Sequence, residues 1–430
     1  MPSGGDKRLD GPGWITFVPV LLERLLPETP LARSLAGQSI LSAAGEGFFL
    51  TGNAVFFTQV VGLSAAQVGL GLTLAGIVTF FFAVPLGRAT DRVGAKRMWA
   101  LTALLQAGLY LLWPLASGFA SFLAVTIALE LVVTASRSGR GAYTLSIFSG
   151  ADRIRSLAFM RSARNIGYTL GALMGGLALA ADSLAAIRAV PILTAGILAV
   201  NAVLVSRLPA LDLEIAPVTE PSGILRPGVL RNRAFLAMTT CDGVISTNQV
   251  LLNVVIPLWL IEQTDAPRVL LAWLFGTNTV LAVLLQVSAS RGAETISGAL
   301  RASRLSAAFF VASCLIVLVT HDTIGWVTIA LVWIGHVTVT GAELFQSAGH
   351  WGLVSELSDP SRRGEYQGAA QLGWTAGSVW APATYTFLAI NSGALGWVVI
   401  AAIVVVATIG LHPATRAAER YLQTHAPVPA

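Results

Sequence analysis

The residues Gly87-Arg88-Ala89-Thr90-Asp91-Arg92-Val93-Gly94-Ala95-Lys96-Arg97 close one long apolar run and precede another. A dense basic turn with a single carboxylate therefore sits at the mouth of a hydrophobic helix. The rest of the chain fits that placement. Apolar residues make up 55% and charged residues 11%, with a mean hydropathy of +0.72. This is the make-up of a chain whose solvent is a bilayer rather than water.

Crossing a hydrocarbon core takes ~20 apolar residues per helix, and the 430 residues contain twelve such stretches. They lie near 36–60, 66–88, 97–116, 120–147, 157–181, 187–206, 234–261, 268–290, 303–320, 325–354, 365–390 and 394–412. Positively charged loops stay cytoplasmic. With both termini on that side, only Arg188 and Arg268 of the 27 Lys and Arg residues fall in outer loops. The net charge of +5 follows from this bias. No basic domain is left over for nucleic acid. Cys241 and Cys314 both lie inside predicted spans, so no disulfide framework is implied. The segment 14–22 is too short, and too interrupted by Pro19, for a secretory signal. Residues 1–33 are expected to form a cytoplasmic tail resting on the membrane surface. Arg-over-Lys usage and abundant Ala are the composition of a GC-rich bacterial genome, which places the chain in a plasma (inner) membrane.

The turn at 87–97 resembles the signature loop between the second and third spans of the major facilitator superfamily, G-x-x-x-D-R-x-G-R-K/R, with Ala95 in place of the first basic residue. The resemblance covers roughly residues 34–412. It implies an all-α integral membrane fold of twelve transmembrane helices in two pseudo-symmetric six-helix bundles, with a mid-membrane site worked by alternating access. The expected organisation is a tail (1–33), a bundle (34–206), a cytoplasmic linker (207–233), a second bundle (234–412) and a cytoplasmic tail (413–430). It further implies that Asp91 is held against the start of the eleventh span, near Ser361 to Glu365. There the orphan N–H groups of a helix N-terminus favour a carboxylate. Gly87, Gly94 and Arg97 belong to the same gate, and Arg92 and Lys96 are expected in a charge network with Asp152 or Glu365. A plain role as topology anchors is the alternative.

Internal repetition supports two halves. Asn165-Ile166-Gly167-Tyr168-Thr169-Leu170-Gly171 matches Gln371-Leu372-Gly373-Trp374-Thr375-Ala376-Gly377 at an offset of 206. The same offset carries Thr134 onto Thr340, Ala142 onto Ala348 and Ser149 onto Ser355. A worn second copy of the signature loop, Ser290 to Ser297, aligns at 203, retaining Arg291 and an acid at Glu294. Gly167, Gly171, Gly175 and Gly176 in the fifth span permit close helix contact. They resemble the glycine motif of drug:proton antiporters, with Ala172 where that motif has Pro; ordinary small-residue packing accounts for them equally well.

Ionisable residues inside spans usually face a cavity or a partner. At 100° per residue, Ser39, Ser42, Glu46 and Asn53 share a face of the first span, and Asp242, Ser246, Gln249 and Asn253 share one on the seventh. Glu130, Thr134, Arg137 and Gly141 align on the fourth; His336, Thr340, Glu343, Ser347 and His350 align on the tenth. In the family these four helices line the central cavity. Glu46, Glu130, Arg137, Asp242 and Glu343 are the candidates for proton coupling. Ser42, Glu46, Asn53, Thr134, Ser246, Gln249, Asn253, His336, Thr340 and Glu343 are the candidates for substrate binding. Arg137 resembles the Arg of the fourth-span R-x-x-x-G motif. It is expected to pair with Glu46 or Glu130 in one state and release that acid in another, because burial favours the neutral acid and a guanidinium the carboxylate. His336 and His350 flank Glu343, each seven residues from it and so ~10 Å away along a helix, so no metal site is expected, nor any cofactor.

The function expected from these features is proton-coupled export of small amphipathic molecules, as in drug or antibiotic efflux, by a monomer. The partners would be a small-molecule substrate, protons and the lipid bilayer. Phe48, Phe49, Trp259, Trp333, Trp351 and Trp374 could stack on ligands or simply pack. Asn53, Gln249 and Asn253 keep open a symporter or facilitator importing a sugar, nucleoside or organic acid. A membrane-embedded transferase lacks its motifs here, and a transport-dead receptor would commonly add a long soluble domain.

Overall fold

The structure, a computed structural model, describes residues 27–181, 183–210 and 228–425. Among them the regular structure is entirely helical. The helices are α1 Pro30–Val60, α2 Ala65–Val93, α3 Ala95–Tyr110, α4 Gly118–Ile147, α5 Gly150–Ala180 and α6 Leu184–Ser206, followed by α7 Arg233–Gln263, α8 Leu270–Ala289, α9 Ile296–Val319 and α10 Trp326–Glu356. The last helical stretch, Arg363–His425, breaks at Gly393 (φ 52°, ψ −130°) into α11 (363–392) and α12 (394–425). Counting that stretch once, ten are long and apolar enough to cross a membrane. The exception is α5, whose apolar character is diluted by Arg, Asn and Gly.

Local chemistry sets the boundaries. Thr29 caps α1, its hydroxyl accepting the Ala32 N–H at 3.2 Å, with Pro30 at the first helical position. Ser64 and Gln67 form a reciprocal capping box at the start of α2. Gly94, at φ 96°, is the one residue between α2 and α3. A side chain there would be strained, so the glycine is what turns the chain back. The expected starts and ends hold to within a few residues, with four differences, one being that α9 begins at Ile296, seven residues before its expected start. α1 begins at Pro30, inside the expected tail. α5 begins at Gly150, seven residues before its expected start. α12 continues to His425, well past 412. The remainder of the expected N-terminal tail, most of the linker and residues 426–430 lie outside the described residues.

Helices α1–α6 pack on one another and α7–α12 do likewise, with matching pairs: α5 lies along α1 as α11 lies along α7. Glycines permit both approaches. A Cβ at Gly167 or Gly171 would overlap the carbonyls of Ile40 and Ala44, and one at Gly373 would overlap that of Thr239. At Gly377 it would stand 2.6 Å from the Gly243 carbonyl. The repeat-related glycines thus do the same packing work in each half, as close helix contact requires. Both first helices also carry a π turn, Phe56–Val60 in α1 and Leu251–Val255 in α7, and α7 has a further break at Ser246–Thr247. The N-half core is aromatic: Phe49 stacks on Trp113 with centroids 5.9 Å apart, and Phe57 meets Phe122 at 4.8 Å. Phe48, Phe49 and Trp259 are buried core residues.

Candidate functional site

One end of the bundle holds the 93–95 turn, the start of α11 and the described edge of the linker; it is called the basic end here. At this end α2 and α11 touch backbone to backbone. A Cβ on Gly87 would overlap the Gly364 carbonyl, and one on Gly368 that of Ala83. The closeness delivers Asp91 to the first turn of α11, where its two oxygens accept the N–H groups of Gly364 (2.6 Å) and Glu365 (2.8 Å). These are two of the donors that a helix N-terminus leaves unsatisfied. The contact expected from the sequence is present. The surrounding network differs in membership. Glu365, 1% exposed, accepts from Arg88 Nε (2.8 Å), Arg362 (3.1 Å) and the backbone N–H of Val229 (3.0 Å). Arg92, Arg97 and Asp152 instead lie exposed, away from Glu365. The early start of α5 puts Asp152 in its exposed first turn.

A second seam climbs α4 against α11 from the same end. Arg363 donates to Ser146 (2.7 Å), Gly141 abuts the Gln367 side chain, Gln371 donates to Ser138 (3.0 Å), and the Arg137 guanidinium lies 5.7 Å from the centre of the Trp374 ring. On the opposite side of the bundle α5 meets α8 and α10. Ser162 donates to the Ala282 and Val283 carbonyls, Arg153 faces Glu356 at 3.5 Å, and Arg161 bonds Glu343 at 2.6 Å. Among the described residues, the polar contacts joining the halves run from the basic end up to Arg161–Glu343 and none lies beyond. The polar contacts between the halves are thus gathered at the basic end and along the stretch that leads up from it.

Three acid clusters lie along the polar faces. In the N half, Glu46 accepts from Ser42 (3.2 Å), Arg164 (3.2 Å) and the Tyr168 hydroxyl (2.7 Å). Between the halves, Glu343 takes Arg161 and the Asn278 amide (3.0 Å), which also reaches Thr340 (3.2 Å); Gln249 interacts with the same carboxylate. In the C half, Asp242 bonds His350 Nδ1 (2.6 Å) and Gln346 (3.2 Å).

The expected pairing of Arg137 with Glu46 or Glu130 is not what this conformation shows. Arg164 holds Glu46, Arg137 stacks on Trp374, and Glu130 is half-buried with no hydrogen bond among the described residues. α5 lies directly along α1, so its guanidinium is nearer than any from α4. Ser246 is spent on the Gly243 carbonyl at the α7 break, and Thr134 is buried. His336 is buried edge-on to Phe275, centroids 6.2 Å apart, within the packing of α8 on α10. Asn253 lies on the exposed side of α7, bonded to Gln249, and Asn53 is half-buried on α1. Arg161, Arg164, Tyr168 and Asn278 were not among the expected site residues. The signal for three of them was available: at 100° per residue Arg161, Arg164 and Tyr168 share one face of α5.

A family model, the Major Facilitator Superfamily, matches residues 35–382. The chain belongs to this superfamily. Solved structures of superfamily-like transporters share its fold at low identity. A bacterial homologue of the iron transporter ferroportin, in an outward-facing state, superposes with a TM-score of 0.68 at 14% identity, covering 90% of this chain and 100% of that one. The proton:xylose symporter XylE bound to 6-bromo-6-deoxy-D-glucose gives 0.68 at 12%, covering 89% and 95%. The human organic anion transporter MFSD10 gives 0.65 at 13%, covering 89% and 100%. No curated protein matches by sequence. The chain is thus a multi-pass membrane transporter of the major facilitator superfamily, and one of its three acid clusters, that of Glu343, joins the two halves of the fold.

Proposed function

We propose that this transporter exports small amphipathic molecules from the cytoplasm in exchange for protons, by alternating access, with the basic end and both termini cytoplasmic in a bacterial plasma membrane. One observation carries the reading: Glu343 is a buried carboxylate whose guanidinium partner, Arg161, belongs to the other half of the molecule. When the halves rock apart at the basic end this pair must break, whereas Arg164–Glu46 stays intact within the N half. Glu343 is therefore the acid whose environment alternates. A proton arriving from the open side neutralises it and weakens its hold on Arg161, loosening the seam that keeps the basic end shut. Once that end opens, the proton leaves to the cytoplasm, substrate enters, and the re-ionised carboxylate draws Arg161 back. An unpaired charge in this setting is costly, so the step runs preferentially when the proton is delivered. Asp91 and Glu365 act as the latch, and Asp242–His350 is a second proton-exchanging pair nearer the cytoplasm.

The reading is tested in energised inside-out vesicles with a panel of lipophilic compounds. A substrate should collapse the pH gradient with the native protein and fail to do so with Glu343→Gln, while substrate-for-substrate exchange survives in that variant. Undiminished gradient collapse by Glu343→Gln would remove the basis of the proposal. The amide cluster Asn248, Gln249 and Asn253 at the irregular part of α7 favours a second reading, proton-coupled uptake of a polar solute. Sugar, nucleoside and organic acid uptake assays distinguish it.

A further inference from the structure

Helix α4 carries two guanidinium groups that form no ion pair with a protein carboxylate among the described residues. Arg161 and Arg164 are committed to Glu343 and Glu46. Arg137 and Arg140, one turn apart on α4, form no ion pair or hydrogen bond among the described residues. Arg137 is exposed and Arg140 half-buried. The charges acting on Arg140 are those of Arg164, Glu46 and Arg137, so two of the three are repulsive. Glu130, seven residues from Arg137, is ~10 Å away along the helix. Escape to water at the basic end is blocked as well. The rungs beneath, Gln371 on Ser138, Gln367 against Gly141 and Arg363 on Ser146, close the α4–α11 seam.

The N half supplies an internal template for what such a group binds. Arg164 lies 5.2 Å from the centre of the Tyr168 ring, and the Glu46 carboxylate is held by that guanidinium and that hydroxyl together. At the repeat offset Tyr168 corresponds to Trp374, and Trp374 lies against Arg137 at 5.7 Å. The second pairing repeats the first, a guanidinium on an aromatic ring, with no carboxylate hydrogen-bonded to it among the described residues; the Glu46 charge, bound by Arg164, acts on Arg137 only through space. Trp374 is also 45% exposed, unlike the core tryptophans.

We propose that Arg137, Arg140 and Trp374 form the recognition site for an organic anion: a carboxylate, sulfonate or phosphate monoester on an aromatic body. The guanidinium groups take the acid, bidentate contact being the geometry in which Arg excels, and the indole takes the ring. The proposal rests on the transport reading above and specifies the substrate class of that same cavity.

The test is equilibrium binding of 2-naphthoate, 2-naphthalenesulfonate and 2-naphthyl phosphate to the purified full chain, against neutral 2-naphthamide and cationic 2-naphthyltrimethylammonium. At least one anion should bind about tenfold or more tighter than the amide, in line with charge-assisted hydrogen bonds. Arg137→Gln and Arg140→Gln should each erase most of that preference. Trp374→Ala should weaken anion and amide alike. Arg137→Lys, which keeps the charge, should retain the preference at reduced affinity, guarding against loss through misfolding. Equal binding of amide and anions, no binding of any anion, or an unchanged preference in both Gln variants overturns the site. Its failure is separable from that of the transport reading. Anions that bind without collapsing a pH gradient leave the site standing and remove proton-coupled export. Gradient collapse through Glu343 by neutral or cationic compounds, with no anion bound, does the reverse.

Discussion

The loops after α2 and α8 are two copies of one piece of chain, yet only the first fastens the halves together. Asp91 and Glu294 occupy equivalent positions at the offset of 203. Asp91 reaches across to two N–H groups of α11, whereas Glu294 turns back on its own loop and accepts the Gly292 N–H at 3.2 Å. The cause lies in the helix opposite. α11 starts at Arg363, so Gly364 and Glu365 sit in its first turn with free donors. Their counterparts in α5, Ala158 and Phe159, lie two turns inside a helix that begins at Gly150, and their N–H groups are already used. A carboxylate makes a latch only where the facing helix begins beside it. The second side is held by side chains deeper in the molecule, with Arg161–Glu343 at the top.

That contrast can be broken or sharpened by substitution. The largest effect is expected from Arg161→Gln, which strands Glu343, 7% exposed. Removing one partner of a buried pair costs about 3–5 kcal/mol, and thermal unfolding in detergent should show a marked loss. Adding Glu343→Gln should recover most of the stability and none of the coupled transport. If Arg161→Gln is as stable as the native chain, the α5 side is not held by this pair. Next comes Asp91→Asn. Losing charge-assisted bonds to two N–H groups should shift the closed-to-open ratio by about 2 kcal/mol, on the order of thirtyfold. Spin-label distances between α2 and α11 would report that shift, and an unchanged distribution would reduce the latch to a topology anchor. The smallest effect should be that of Glu294→Gln, within about 0.5 kcal/mol as for surface sites away from special features, with transport rates nearly native. A large loss there would mean that the worn copy still fastens something in another state.

Most of the fold was readable because bilayer helices advertise themselves by length and apolarity, and the α2–α11 contact was readable because the turn at 87–97 resembles a family signature that implies it. The acids on α1, α7 and α10 were found by the same periodicity. Their partners were not. Arg161 and Arg164 lie in a stretch crowded with Arg, where the charges count toward topology and the glycines take the attention. Which guanidinium reaches Glu46 depends on the glycine-permitted approach of α5 to α1, a tertiary fact. Asn278 is an isolated amide in an otherwise apolar helix, and only the packing of α8 on α10 gives it meaning.

Arg88 has a consequence of its own. Its side chain is 43% exposed while that of its partner Glu365 is 1% exposed, and Glu365 is also tied to Val229 and Arg362 within its own half. Dissolved ions can screen the Arg88 bond, whereas the backbone-directed grip of Asp91 is sheltered from them. Rising ionic strength at that face will therefore loosen one of the two fastenings and spare the other. The resting balance between the two faces of the transporter should drift with salt, giving the molecule a built-in response to ionic strength.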